Sequence, residues 1–223
     1  PATAGLTDLG RVRPTEAADS LLGIAERSIG RVSRDAIMPA MLADSVDLSP
    51  RLLAIARNQN AARETRRSAI SWLGRALDER PRDVGNVASA LVAIARDEDD
   101  NRSVRQQALR TLARLEHGAG TPLLVELARD ANRAWLAREA ITSLNASSDP
   151  RARAHLGEVV RAATLEDEVL AGAIRGVGGG YPTGDDIKIL RDTYAKLPDD
   201  RLMQVTAPMP AGRKLPTNEL IRN

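Results

Sequence analysis

Cysteine and phenylalanine are absent from the chain, which has only two histidines, two tyrosines (Tyr181, Tyr194) and two tryptophans (Trp72, Trp135). Without cysteine there is no disulfide, no thiolate metal site and no thiol nucleophile. His117 and His155 lie far apart in the sequence, so imidazole-based metal or triad chemistry has almost nothing to work with. A core without large rings must be built from Ala, Leu, Ile and Val. That suits closely packed helices and speaks against sandwiches and barrels, whose strands favour β-branched and aromatic residues. No apolar run approaches the ~18 residues of a membrane span. Lysine is scarce too: only Lys188, Lys196 and Lys214, the other basic residues being arginine.

The 32 basic residues meet 30 acidic ones, a net charge of +2. Residues 1–75 carry +3, 76–150 carry −2 and 151–223 carry +1, so no global asymmetry demands nucleic acid. With 43% hydrophobic and 28% charged residues, the 223-residue chain has a folding composition. The opening Pro1-Ala2-Thr3-Ala4-Gly5 fits a stretch that follows a removed signal peptide, and an exported location is expected over a cytoplasmic one.

The informative feature is internal repetition. Leu52-Leu53-Ala54-Ile55-Ala56-Arg57 returns as Leu91-Val92-Ala93-Ile94-Ala95-Arg96 and as Leu124-Val125-Glu126-Leu127-Ala128-Arg129, with weaker copies at 21–26 and 156–161. Each copy is followed by a second apolar-periodic segment anchored on Ala36-Ile37, Ala69-Ile70, Ala108-Leu109, Ala140-Ile141 or Ala173-Ile174, at steps of 33, 39, 32 and 33 residues. The long step is ascribed to an extra connection over 76–83. Both segments carry helical spacing, with Ala69, Ile70 and Leu73 on one stripe, and Ala108, Leu109 and Leu112 likewise. Pro50, Pro81, Pro122, Pro150 and Pro182 fall between units, where proline opens a helix. Pro39 lies inside a second helix and predicts a kink or early stop there.

The predicted organisation is an N-terminal extension (1–15), helix pairs at about 16–44, 50–76, 84–115, 119–147, 151–178 and 185–205, the last one partial, and an extended tail (206–223). A helix pair cannot bury its own apolar face, so neighbouring pairs must stack on a shared core. The expected fold is an all-α solenoid.

Asn101-Arg102-Ser103-Val104-Arg105-Gln106-Gln107-Ala108-Leu109 resembles the Val-Arg-x-x-Ala-Leu signature of the second helix in HEAT and HEAT-like repeats, and Glu64-Thr65-Arg66-Arg67-Ser68-Ala69-Ile70 is similar. The resemblance implies a right-handed α-solenoid of about five and a half repeats acting as a binding scaffold. It also implies that Arg66 and Arg105 bond acidic or carbonyl groups of a neighbouring repeat. Ser33, Ala137 and Leu170 stand at the matching positions elsewhere, so such a ladder is incomplete. Ala43-Asp44-Ser45 and Ile70-Ser71-Trp72-Leu73-Gly74 resemble stretches of exported bacterial HEAT proteins.

In HEAT proteins the second helices line a concave surface, which turns the outward positions of these helices into a candidate groove. Counted from the anchor Ala, one row runs Arg34, Arg67, Gln106, Arg138, Ala171, and a second runs Met38, Ser71, Arg110, Thr142, Arg175. A third gives Leu42, Arg75 and Arg114, while Trp72 sits beside Thr111 and Ser143. Seven arginines and a tryptophan on one strip suit a partner protein or peptide with acidic residues, held by forked guanidinium bonds. The competing reading is local pairing with Glu64, Glu139 and Asp35.

Other motifs read as structural. Asp97-Glu98-Asp99-Asp100-Asn101 lacks the glycine and final glutamate of a calcium loop and reads as a polar turn. Gly176–Gly184 lacks the Lys-Ser/Thr ending of a phosphate loop and reads as a helix stop. Both histidines are expected at surface or capping positions, and Trp135 in a gap between repeats. The expected function is a non-catalytic interaction scaffold with no cofactor or metal. The alternatives are an accessory subunit of a larger complex and a HEAT-like alkylpurine glycosylase. The glycosylase needs a strongly basic groove, which the balanced charge does not supply.

Overall fold

Alanine-rich, proline-punctuated segments fold as twelve α-helices in the computed structural model, which describes residues 12–43, 46–79, 84–130 and 132–206. Among the described residues there is no strand. In chain order the helices are α1 (Pro14–Arg27), α2 (Arg31–Met41), α3 (Ser49–Arg57), α4 (Arg63–Glu79), α5 (Val84–Arg96), α6 (Arg102–Ala113), α7 (Thr121–Ala128), α8 (Ala134–Asn145), α9 (Pro150–Ala162), α10 (Asp167–Gly178), α11 (Gly184–Tyr194) and α12 (Asp199–Thr206). Four of the between-unit prolines have described surroundings that place three of them in a first turn: Pro50 in α3, Pro122 in α7 and Pro150 in α9. There the missing N–H costs nothing. Pro39 gives the early stop, α2 ending two residues later at Met41.

The chain forms two compact units that meet between Ala76 and Leu77. In the first, α1 packs on α2 and α3. Glu26 of α1 accepts from Arg51 Nη2 (3.0 Å) and Asn58 Nδ2 (2.8 Å), and the Ser33 and Thr65 hydroxyls bond between α2 and α4. The anchors Ile37, Ala69 and Ile70 are fully buried. Part of the 39-residue step is helix rather than connection, because α4 continues to Glu79.

In the second unit the first helices follow one another, α7 on α9 and α9 on α11, and the second helices do the same, α6 on α8, α8 on α10 and α10 on α12. Ala108, Leu109, Ala140 and Ala173 are fully buried between the layers. An alanine here lets helix axes approach while costing nothing in helix propensity. Tight approach elsewhere uses glycine: a β-carbon at Gly120 would collide with the Leu112 carbonyl, and one at Gly176 with Asn145.

Both signature arginines bond carbonyl groups, as the resemblance implied, and these carbonyls belong to their own pair. Arg66 Nε donates to Ala56 O (2.9 Å) and Arg105 Nε to Ala95 O (3.0 Å), so each closes the end of the first helix in its own pair. Other residues supply bonds from repeat to repeat. Arg96 Nη2 reaches Glu126 (2.6 Å) and Arg133 Nε reaches Glu98 (2.8 Å). Thr193 Oγ1 donates to Val160 O (3.3 Å), and Arg201 bonds Asp167 and the Ala163 and Leu165 carbonyls. Trp135 of α8 lies under two guanidinium groups of α6, with Arg105 at 4.2 Å and Arg102 at 5.1 Å from the ring centroid.

Candidate functional site

An anchor stripe that faces inward leaves the opposite side of each second helix to solvent. In the first unit, α4 presents Arg67, Ser71, Trp72 and Arg75. Arg67 is half-buried and its Nη1 donates to Glu64 Oε2 at 3.1 Å, one turn back on the same helix. Ser71 is exposed. Trp72 is half-buried, and the exposed Arg75 lies 4.7 Å from its ring centroid, a cation–π distance. Met38 and Leu42 of the first pair are both exposed. The side chain of Arg34 lies outside the described residues.

In the second unit, α6, α8 and α10 carry Gln106, Arg110, Arg114, Arg138, Thr142 and Arg175. Gln106 Nε2 donates to Glu139 Oε1 at 3.0 Å, tying α6 to α8. Arg138 Nη1 pairs with Glu168, tying α8 to α10. These two are joined to acids of the next repeat. Arg110, Arg114 and Arg175 are exposed, and among the described residues none of their guanidinium groups has a hydrogen bond or ion pair. Thr142 is exposed and spends its hydroxyl proton on Arg138 O (3.0 Å).

Three positions placed on the outward side are in fact covered. Thr111 and Ser143, expected to stand with Trp72, are buried, because three residues past the anchor still falls within the stripe that neighbouring second helices cover. Ala171 is buried as well. The cationic row therefore stops at Arg138.

Arg138, Thr142 and Arg175 meet at a cleft of about 280 Å³ between α8 and α10, with Ile141, Val169 and Gly172 as apolar lining and Gln204 of α12 at one side. Two carboxylates also reach it, each already matched: Asp167 by Arg201 (Oδ1–Nη2 2.6 Å) and Glu168 by Arg138. Arg175 is the cation left over. Its Nη2 lies 3.9 Å from the point a β-carbon on Gly172 would occupy, an ordinary contact distance. Gln204 and Arg201 went unrecognised in the sequence. Arg201 had one legible signal: it stands 34 residues after its partner Asp167, one repeat on.

Perturbed ionisation is structural in origin here. Asp149 is lowered to about 2, chiefly by the Arg151 side chain it accepts from; burial opposes the shift, and the Arg151 backbone N–H and the Thr121 hydroxyl assist it. His155 is buried, not at the expected surface position. Burial lowers its pKa most, Arg129 adds to the effect and Glu158 opposes it. Its Nδ1 lies 3.4 Å from Glu158, and its Nε2 is buried without a partner among the described residues. His117 is exposed in a turn with φ +54°. Among the described residues no three His, Asp or Glu side chains group so as to hold a metal ion, and no described helix is long and apolar enough to cross a membrane.

Residues 88–178 match the family model for HEAT repeats, a stretch running from α5 through α10. No curated protein and no solved structure matches the chain. HEAT repeats commonly mediate protein–protein interaction, and the family is typically a non-catalytic scaffold. Three helix pairs of the second unit thus fall under one family description, and this stretch of the chain is HEAT-like repeat.

Proposed function

We propose that the protein is a non-catalytic interaction scaffold and that the outward side of α6, α8 and α10 takes a partner polypeptide carrying acidic residues. The carrying observation is that Arg110, Arg114 and Arg175 are exposed and unmatched while acids nearby are matched. A free guanidinium fork binds a carboxylate through two parallel charge-assisted bonds. The test is the triple variant Arg110→Glu, Arg114→Glu, Arg175→Glu, compared with the unaltered protein for capture and cross-linking of its native partner. Loss of capture with an unchanged helical spectrum is expected, and equal capture rejects the proposal. Arg67 and Arg138 are poor choices for this experiment, since reversing them breaks ion pairs within the fold.

A second reading, a structural subunit of a larger assembly, has its own support: Ile24, Ile29, Val32, Met38 and Leu42 of the first helix pair are all exposed, as is Val12 just before it. Exposed apolar residues that form one contiguous patch mark an interaction site. Native mass spectrometry of material purified from its source tests it, a monomer alone counting against it.

A further inference from the structure

We infer that the side of α1 and α2 turned away from α3 and α4 is a docking face for the same side of a second copy of this chain, giving a closed dimer. This rests on the reading of the protein as a subunit of an assembly, and it names the partner and the residues that meet it.

The repeat register marks which positions on this face are built to be covered. Ile24 holds the fourth place of the first-helix motif, where later pairs carry Ile55, Leu127 and Val159, all buried. Val32 stands four residues before the anchor Ala36, where later pairs carry Thr65, Leu136 and Val169, also buried. The pair before supplies that cover: α7 packs on α9, α6 on α8 and α8 on α10, and Ser33 of α2 bonds Thr65 of α4. Ile24 is instead 41% exposed and Val32 57%. Leu21 repeats the contrast, half-buried where Leu52, Leu124 and Leu156 are buried.

The polar positions agree. On α8 the stripe Leu136, Glu139, Ser143 faces the preceding second helix, with Glu139 held by Gln106 of α6. The same places on α2 are Val32, Asp35 and Pro39, all exposed. Met38 belongs to a different set, since Ser71, Thr142 and Arg175 at its place are exposed too. The register therefore separates an uncovered stacking surface, centred on Ile24 and Val32, from an ordinary solvent side that includes Met38.

Charge selects the occupant. The face carries both signs side by side: Arg31 pairs with Asp35 at 3.0 Å and Arg13 with Glu16, and all four are exposed. Such a surface is complementary to its own copy across a twofold axis, where Arg31 of each copy can meet Asp35 of the other. A partner of one sign would leave half of these charges unmatched. Head-to-tail docking would bring up the last pair, whose outward residues include Asp185, Lys188, Asp199 and Asp200, and would bury those charges at a desolvation cost. A face two short helices wide lies at the low end of interface sizes, which sets the expected dissociation constant at about 10–100 µM.

The experiment is sedimentation of the full chain alone, from about 1 µM to about 1 mM. The mass should rise from one chain to two and stop there. Val32→Arg and Ile24→Glu should each weaken the dimer at least about tenfold without lowering the melting temperature, because both side chains are exposed. Met38→Arg should leave it unchanged. Arg31→Glu and Asp35→Arg should each weaken it, and the double variant should recover it. A monomer throughout, growth beyond two chains, or equal loss in Met38→Arg and Val32→Arg overturns the inference. A lower melting temperature in Val32→Arg also overturns it, since the face is then already covered within one chain. Native mass spectrometry of material from the source judges the wider reading separately: a partner of another sequence there, with no self-association here, sinks the second copy and keeps the assembly.

Discussion

The first helix pair and the last treat solvent in opposite ways. On α1 and α2, large apolar side chains face outward: Ile24 is 41% exposed, Val32 57% and Met38 56%. α2 starts at Gly30, with φ +71° and no side-chain cap, and Pro39 ends it early. On α11 and α12 the outward residues are mostly charged, among them Asp185, Lys188, Arg191, Asp199 and Asp200, with Ile187 and Met203 the exposed large apolar residues. α11 opens on a capping box in which Thr183 and Asp186 satisfy each other's orphan groups, and Arg153 of α9 pairs with Asp186 at 3.0 Å. A repeat array needs a polar outer surface wherever it stops. The last pair presents mostly charge to solvent, and the first pair presents several large apolar side chains.

The comparison breaks most visibly at the buried anchors. Ile174→Ala in α10 should cost about 2–5 kcal/mol in urea unfolding, the range for emptying a buried aliphatic site. Ile37, fully buried in α2, should cost as much if the first pair is held as firmly as the second unit. A loss below about 1 kcal/mol there would instead mark the first pair as independently weak. Next in size is Thr183→Ala, which should remove about 1 kcal/mol of capping. Faster hydrogen exchange should appear in α11 and α12 and leave α1 and α2 unchanged.

Acid sharpens the same contrast. Burial alone would raise the Asp186 pKa, but the Thr183 N–H and hydroxyl and the Arg153 guanidinium outweigh it and hold the carboxyl below its ordinary value. A carboxyl lowered on folding stabilises the fold above its unfolded pKa, and that contribution disappears as pH falls through the lowered one. Protection of α11 should therefore decline under acid, and Asp186→Asn should remove that pH dependence. His155 acts in a higher window. Its folded pKa is below the ordinary 6.5, so its contribution is present above that value and fades as pH falls past it; His155→Leu should flatten stability there. The smallest effect is expected from Ile29→Lys with Met38→Lys, below about 0.5 kcal/mol in the isolated protein. A larger loss would mean that this apolar surface is already covered.

The helical pairs were legible because alanine and isoleucine recur at the period of the repeat. Ala69, Ala108, Ala140 and Ala173 are all fully buried. Electrostatic pairing was not legible to the same degree. A helical wheel places Arg67, Gln106 and Arg138 outward, yet each is bonded to a glutamate on its own helix or on the next repeat. Glu64 and Glu139 could be named from the sequence as local partners, but Glu168, 30 residues after Arg138, could not, because a wheel drawn for one helix holds no such information. Ala171 illustrates the same limit from the packing side: it is buried on α10, the helix against which the short α12 packs. His155 was misplaced because a lone polar residue near a helix start reads as a cap, whereas Ala152, Leu156 and Val159 put it on the apolar side of α9.

The two indoles have a practical consequence. Trp72 sits in one unit beneath Arg75, Trp135 in the other beneath Arg102 and Arg105, and no third tryptophan exists. Replacing either with leucine leaves a single emitter, so ultraviolet fluorescence can follow the melting of each half of the polypeptide separately, without any dye.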